Sequence, residues 1–269
     1  MTKLKNIILA TEENIGYYSI LKKSCKKNNI DLIILGLGKN WEGFTMKFYE
    51  YYNYLQNINS NEIVMINDAY DVIILENSEI IINRFEKMNI PILFGNHSGI
   101  TEFLSKGSWN NNICTGNIIG YAGYLKNMFK TIIEYKHLWE KFNNDDQTII
   151  NYLYKKNILK DIHLDTDNKV FFIVSDDNRY FNLSYLTQGK ISGLEMKNGK
   201  IYNNHTVCVF HLPGNMNGNL YLNYIGYDTS NVKLKIKGYR FTQIYGLLKH
   251  YFIIIIILIL MYIIYRLRK

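Results

Sequence analysis

Proline and cysteine are scarce: the 269 residues hold two prolines and three cysteines. Cys25, Cys114 and Cys208 are odd in number, widely spaced and without a CxxC pair, so neither a disulfide framework nor a zinc site of the usual spacing is indicated. No proline- or serine-rich linker divides the chain. A composition 48% hydrophobic and 14% aromatic excludes disordered and collagen-like chains. The glycine patterns that cradle phosphate directly are missing as well. There is no P-loop and no GxGxxG, because Gly36-Leu37-Gly38 lacks the third glycine that opens a helix. After Met1-Thr2-Lys3-Leu4-Lys5, the run Asn6–Ala10 is too short for a signal peptide and reads as the first strand.

The net charge of +8 is unevenly placed. Lys233, Lys235, Lys237, Arg240, Lys249, Arg266, Arg268 and Lys269 are eight bases with no acid among them. Removing these eight from the 31 basic residues leaves 23, equal to the 23 acidic ones, so residues 1–232 are neutral. A protein that tracks a phosphate backbone concentrates basic charge on its folded domain, so no nucleic-acid partner is expected. The bases instead flank Tyr251–Tyr265 (YFIIIIILILMYIIY), which carries no charge. At about 1.5 Å per residue this run spans about 22 Å, short of the ~30 Å hydrocarbon core. Snorkelling by Lys249 and Arg266 and interfacial tyrosines reduce the shortfall. The expectation is a single-pass C-terminal anchor over residues 251–265, joined by a basic linker over 233–250 to a domain over 1–232. The side of the membrane, cytosolic or lumenal, stays open, and a buried core helix or strand is the competing reading of the run.

Short β-branched runs alternate with helix-period stretches through the first 150 residues. Asn6–Thr11, Asp31–Leu35, Glu62–Asn67 and Ile90–Phe94 read as strands. Gly16–Asn28, Met46–Asn57, Ser78–Met88, Tyr124–Phe142 and Asp145–Lys156 read as helices. Beyond Ile158 shorter strands are expected at Val170–Val174, Thr206–Phe210 and Leu220–Tyr224. Near-continuous apolar strands between helices predict an α/β fold with a mostly parallel, Rossmann-like central sheet covered on both faces.

In such sheets ligands bind beyond the carboxyl ends of the strands. Asp68-Ala69-Tyr70-Asp71 follows the buried run Glu62–Asn67 and brings two carboxylates there, where they can hold a hard divalent cation that neutralises a diphosphate. The same DxxD also suits a turn or cap. With no phosphate-cradling glycine loop, a nucleotide has to be held through a metal. A second constellation, His163-Leu164-Asp165 with His211, has the residue types of a 2-His-1-carboxylate iron site. That class needs an antiparallel jelly roll and an arginine soon after the distal histidine, and the next arginine is Arg240.

Several segments come in one order with a known family. They are Ala10-Thr11-Glu12-Glu13 with Gly16-Tyr17, Leu35-Gly36-Leu37-Gly38 with Trp41 and Gly43, and Asp68-Ala69-Tyr70-Asp71-Val72. Then follow Gly116-Asn117-Ile118-Ile119-Gly120, Asp145-Asp146-Gln147, Leu164-Asp165, and His211 with Gly214-Asn215 and Leu222-Asn223-Tyr224-Ile225-Gly226. Over roughly residues 6–226 the chain resembles the glycosyltransferase domain of procollagen lysyl hydroxylases, a family that large DNA viruses also carry. The resemblance implies a GT-A fold, a UDP-sugar donor, Mn²⁺ (or Mg²⁺) and retention at the anomeric carbon. It implies Asp68, Asp71 and His211 as metal ligands, and Thr11, Trp41 and Tyr70 around uridine and ribose. Lys47 would approach the donor, Gly214 and Asn215 the diphosphate, and Asp145 and Asp146 the transferred sugar and acceptor. The acceptor is a hydroxyl on protein or glycan, collagen-like substrates included.

Each residue has a plainer reading. Trp41 and Tyr70 suit core aromatics, His211 a hydrogen-bonded core histidine, Lys47 a solvated helix face, and Asp145-Asp146 a helix cap and first-turn charge. Phe44-Thr45-Met46 replaces the family's glycine run before the lysine, and Asn96-His97-Ser98-Gly99 its tryptophan-bearing acidic segment. The lysine after the glycine-asparagine turn is missing, and Leu212 and Pro213 are additional. The donor side thus matches better than the acceptor side. A degenerate domain that binds nucleotide-sugar or glycan without turnover is the alternative to an active transferase.

Overall fold

The structure, a computed structural model, describes residues 3–98, 112–175, 177–178, 182–214, 216–234 and 255–267. The chain forms two units, Met1–Leu234 and Lys235–Lys269. The first is built on strands β1 (Lys5–Leu9), β2 (Asp31–Leu35), β3 (Ile63–Asp68), β5 (Ile92–His97), β6 (Asn112–Tyr121) and β7 (Ile162–Asp165), which form one sheet in the order β2-β1-β3-β6-β5-β7. β1 pairs in parallel with β2 and β3, and β5 with β7, while β6 runs antiparallel to both β3 and β5. A second sheet of three strands is ordered β4 (Val72–Ile74), β12 (Val209–His211), β8 (Phe171–Ile173). A three-stranded antiparallel sheet joins β9 (Glu195–Lys197), β10 (Lys200–Asn203) and β11 (His205–Thr206).

Alternation along the strands sends neighbouring side chains to opposite faces, and both faces are apolar. Ile7, Leu9, Val64 and Ile66 pack with Phe48 and Leu55 of α2 (Met46–Leu55), Leu125 and Phe129 of α4 (Ala122–Glu134), and Ile149 and Leu153 of α5 (Asp146–Lys155). Ile8, Met65 and Ile119 pack with Leu21 and Cys25 of α1 (Tyr18–Lys27), Ile81 and Phe85 of α3 (Ser78–Glu86), and Val72 and Val209 of the second sheet. The fold is a mixed α/β, Rossmann-like one, consistent with GT-A.

Several elements differ from the sequence reading: β7, β9 and β10 are additional strands, and the strand expected over Thr206–Phe210 is divided between β11 and β12. β6 has two glycines and three polar side chains, Asn112, Thr115 and Asn117, among its ten residues, which breaks up the apolar pattern of a strand, yet nine of its ten residues are buried. β4 is three residues long, below the length at which periodicity is readable. The helix expected over Tyr124–Phe142 stops at Glu134 and continues as two 3₁₀ turns, Lys136–Leu138 and Glu140–Phe142, ended by Asn143 in the left-handed region (φ 51°). Leu220–Tyr224 is not a strand: α7 (Asn219–Tyr224) buries the adjacent pair Tyr221 and Leu222, a helical rather than an alternating pattern. A short helix, α6 (Leu183–Gln188), precedes the three-stranded antiparallel sheet.

The membrane anchor is overturned. In the second unit, residues 255–267 form a helix of 13 residues, about 20 Å long against a hydrocarbon core of ~30 Å. Among the described residues no helix is long and apolar enough to cross a membrane. The single-pass localisation and the transmembrane part of the fold expectation fall with it. Residues 235–250 of the expected linker and 251–254 of the expected anchor lie outside the described residues.

Candidate active site

The site lies where the two sheets meet. Asp68 is the last residue of β3, and Ala69-Tyr70-Asp71 turns the chain directly into β4. β4 pairs antiparallel with β12 so that Val72 stands opposite His211, which sets the histidine beside Asp71. The backbone N–H of Leu212 donates to the Asp71 carbonyl at 2.8 Å and closes the junction. One ligand atom from each of Asp68, Asp71 and His211 lies within 4.8 Å of the others. His211 Nε2 stands 3.4 Å from Asp71 Oδ1 and 4.0 Å from Asp68 Oδ2. It is buried and makes no hydrogen bond, which leaves it directed at the carboxylates.

The residues fit a divalent cation. Two carboxylates and an imidazole are a suitable donor set for a borderline metal, and the orphaned Nε2 is the atom such an ion would satisfy. Gly116 keeps the space open: a Cβ there would lie 2.4 Å from Asp68 Oδ2 and 2.7 Å from His211 Cε1. Burial acts to lower the His211 imidazole, but Cys114 and Asp71 outweigh it, so its pKa stands well above the ordinary value. Burial acts to raise the Asp68 carboxyl, and Lys47 and His211 outweigh it, holding it below the usual range.

Lys47 is buried rather than solvated. Its ammonium bonds Asp68 Oδ1 at 2.6 Å and Asp146 Oδ2 at 3.2 Å, with Phe44 beneath it. Burial works against that charge, and Asp146 and Asp68 more than restore it. Asp146 is buried at the first turn of α5, where Thr115 Oγ1 donates to it at 3.0 Å. Its burial outweighs Lys47, and its carboxyl is pushed up. Asp145 instead caps α5, accepting the Thr148 N–H at 2.7 Å. Lys47, Asp68, Thr115, Asp145 and Asp146 share a cavity of about 800 Å³, within the ~300–1,000 Å³ usual for small-molecule sites.

Tyr70 and Thr11 are also brought together. The Tyr70 hydroxyl accepts the N–H groups of Thr11 (3.1 Å) and Glu12 (3.2 Å) and donates to the Glu12 carbonyl, fixing the loop that leaves β1. Trp41 is exposed between β2 and α2, edge-on to Phe44 at 5.5 Å. The Gly214 N–H donates to Asp71 Oδ2 at 3.1 Å, so it orients a carboxylate of the cluster. Asn215 lies outside the described residues. The iron-type constellation is not assembled. Asp165 spends both oxygens on the N–H groups of Lys169, Val170 and Phe171 at 2.7–2.8 Å, and among the described residues Asp68, Asp71 and His211 are the one metal-capable group.

Thr115 and Asn117 were not anticipated as site residues. Asn117 Oδ1 meets His211 Nδ1 at 2.5 Å. The sequence signal for it is a polar side chain inside an apolar strand, which has to find a partner when buried.

The sequence model of the PLOD GT domain matches residues 1–237. The chain belongs to the PLOD glycosyltransferase-domain family. As a PLOD GT domain it is a glycosyltransferase of GT-A type, with a sugar donor and an acceptor implied. Among solved structures it is similar to a glycosyltransferase involved in the glycosylation of the major capsid of PBCV-1, at 13% identity and TM-score 0.47, over 79% of this chain and 96% of that one. It is also similar to the apo-form glycosyltransferase GlyE of Streptococcus pneumoniae TIGR4, at 10% identity and TM-score 0.47, over 85% of this chain and 62% of that one. No curated protein matches the chain.

Proposed function

We propose that this PLOD GT domain transfers a hexose, glucose or galactose, from a UDP-sugar to a hydroxyl of a protein or glycan acceptor, with retention of anomeric configuration and with Mn²⁺ as the metal. The observation that carries the reading is the Asp68, Asp71 and His211 cluster opening beside the cavity that Lys47, Asp145 and Asp146 line. Those three residues hold the metal, which when bound supplies positive charge to the departing diphosphate as a Lewis acid. Thr11 and Tyr70 shape the pocket for uridine and ribose, and exposed Trp41 offers a face on which the base stacks. Gly214, beside Asp71, and Asn215 stand on the diphosphate side. Lys47 is a fixed cation at the donor end, and Asp146 orients it while presenting the cavity wall that meets the sugar.

The active reading is favoured over a degenerate binder by Asp146, which the Lys47 bridge turns toward Asp68 rather than away from it. The test is UDP release by the full chain with Mn²⁺ or EDTA, across UDP-glucose, UDP-galactose and UDP-N-acetylglucosamine, with and without a hydroxyl acceptor. Mn²⁺-dependent release from one hexose donor is expected. Asp68→Ala and Asp71→Ala should each abolish Mn²⁺-dependent UDP binding, and unchanged UDP affinity in either overturns the metal assignment.

A further inference from the structure

Three amides lie inside the central sheet, among side chains that are otherwise apolar. Asn6 on β1, Asn67 on β3 and Asn117 on β6 are each at most 1% exposed and sit on adjacent strands. Asn67 stands directly opposite Asn117 in the β3–β6 pairing, and opposite Ile8 on β1, two residues along from Asn6. By alternation all three share the sheet face of Ile8, Met65 and Ile119, and Asn6 Nδ2 donates to Cys25 Sγ of α1 at 3.7 Å. They are linked head to tail. Asn67 Nδ2 donates to Asn6 Oδ1 at 2.9 Å, and Asn117 Nδ2 donates to Asn67 Oδ1 at 2.8 Å. The oxygen left at the end of the chain, Asn117 Oδ1, meets His211 Nδ1 at 2.5 Å. The Cys114 thiol donates to the same oxygen at 3.8 Å.

An amide has one accepting end and one donating end, so a chain of three runs in one of two directions. In the direction the structure shows, Asn117 presents an oxygen to His211. A carbonyl oxygen only accepts, so Nδ1 has to carry a proton. In the reverse direction Asn117 would present its NH₂, Nδ1 would be bare, and the ring proton would sit on Nε2. That proton would point at Asp71 Oδ1, 3.4 Å away, and occupy the lone pair a metal needs. Histidine tautomers are set in this way by the partner of the nitrogen that does not face the metal.

We infer that Asn6, Asn67 and Asn117 act as one polarised amide relay that pins a proton on His211 Nδ1, so that Nε2 is the nitrogen that gives up its proton and takes the metal. Asn117 is the positioning residue, and Asn67 and Asn6 fix which way its amide faces. The inference rests on the reading of Asp68, Asp71 and His211 as metal ligands, and adds how the imidazole is prepared for that task.

Two measurements on the full chain test it. The first is the long-range ¹H–¹⁵N correlation pattern of His211, metal-free and with Mg²⁺, its peaks assigned by their loss in His211→Gln. A protonated Nδ1 in both states is expected, and a bare Nδ1 in the wild-type protein overturns the relay. The second is Mn²⁺ affinity, read from free-Mn²⁺ electron paramagnetic resonance, for wild type, Asn117→Leu and Asn117→Asp. Asn117→Leu should weaken Mn²⁺ binding roughly ten- to a hundredfold. Asn117→Asp retains an accepting oxygen and should recover most of the loss. A folded Asn117→Leu protein that binds Mn²⁺ as wild type does refutes the positioning role. If Asn117→Leu does not fold, the wild-type nitrogen pattern still decides. Absence of Mn²⁺ binding by the wild-type protein would remove the metal reading, while the His211 spectrum judges the relay separately.

Discussion

Replacing Gly116 by alanine should weaken the metal site, whereas a matched glycine-to-alanine change farther along the same strand should not. Gly116 has a backbone conformation open to any residue, since it is not among the glycines of positive φ. The difficulty is space: the added Cβ would stand 2.4 Å from Asp68 Oδ2, whereas real Cβ contacts essentially never fall below 3.0 Å, so the carboxylate has to retreat by at least 0.6 Å, the difference between the two. His211 on the other side cannot give way, being fixed by β12 and by Asn117. Metal–ligand distances tolerate only about 0.2 Å, so Asp68 leaves the coordination sphere. Losing one carboxylate should weaken Mn²⁺ binding at least about tenfold, or roughly 1.4 kcal/mol. Gly120→Ala is the control on the same strand. Its Cβ would meet the Pro91 carbonyl at 2.8 Å, away from the cluster. Both variants should lose about 1–3 kcal/mol of stability from overpacking, measured by urea unfolding in EDTA. Mn²⁺ titration should separate them. Wild-type affinity in Gly116→Ala would refute the geometry, and an equal loss in Gly120→Ala would locate the effect in strand distortion rather than in Asp68.

Lys47→Met leaves Asp146 buried without its counter-charge and should cost about 3–5 kcal/mol at neutral pH. Since the Asp146 carboxyl is already pushed up and would rise further, protonation relieves the penalty, so the deficit measured by urea unfolding should shrink as pH falls. Mn²⁺ affinity should itself rise with pH. The His211 pKa stands well above its ordinary value, with Asp68, Asp71 and Cys114 facing the ring. The metal has to displace the Nε2 proton until that pKa is passed. Calorimetry in buffers of different ionisation enthalpy should show about one proton released per Mn²⁺ near neutral pH, and a pH-independent affinity would contradict it. Tyr70→Phe removes the hydroxyl that ties Thr11 and Glu12. UDP affinity should fall while Mn²⁺ affinity is kept, because the loop after β1 is released and the metal ligands are not.

What was legible in the sequence follows from what each residue answers to. Asp68 and Asp71 could be placed because a buried apolar strand fixes where its carboxyl end must lie, and chemistry at that end follows from the sheet. His211 could not be placed by spacing, since it arrives through the β4–β12 pairing, and both elements are three residues long. Only the family motif joined it to Asp68 and Asp71. Asp145 and Asp146 are adjacent in sequence and unlike in role. One closes a helix terminus with its side chain, and the other is turned inward to Lys47, a division set by the first turn of α5 rather than by residue type. For Lys47 only the resemblance pointed to a donor-side place, since a lysine on an amphipathic helix is usually solvated, and its burial depends on two carboxylates 21 and 99 residues away. The asparagines show the same limit from the opposite side. Each one alone is an ordinary polar residue in an Asn-rich chain, and only the registers of β1, β3 and β6 turn three of them into a single directed chain. The hydrophobic tail marks the converse error: composition there is strongly one-sided, but spanning depends on length, and 13 described helical residues fall short of it. Local pattern therefore located the carboxylates, and long-range pairing decided which groups they meet, so variants that disturb the space between paired strands without replacing a ligand, such as Gly116→Ala, are the sharper probes of this site.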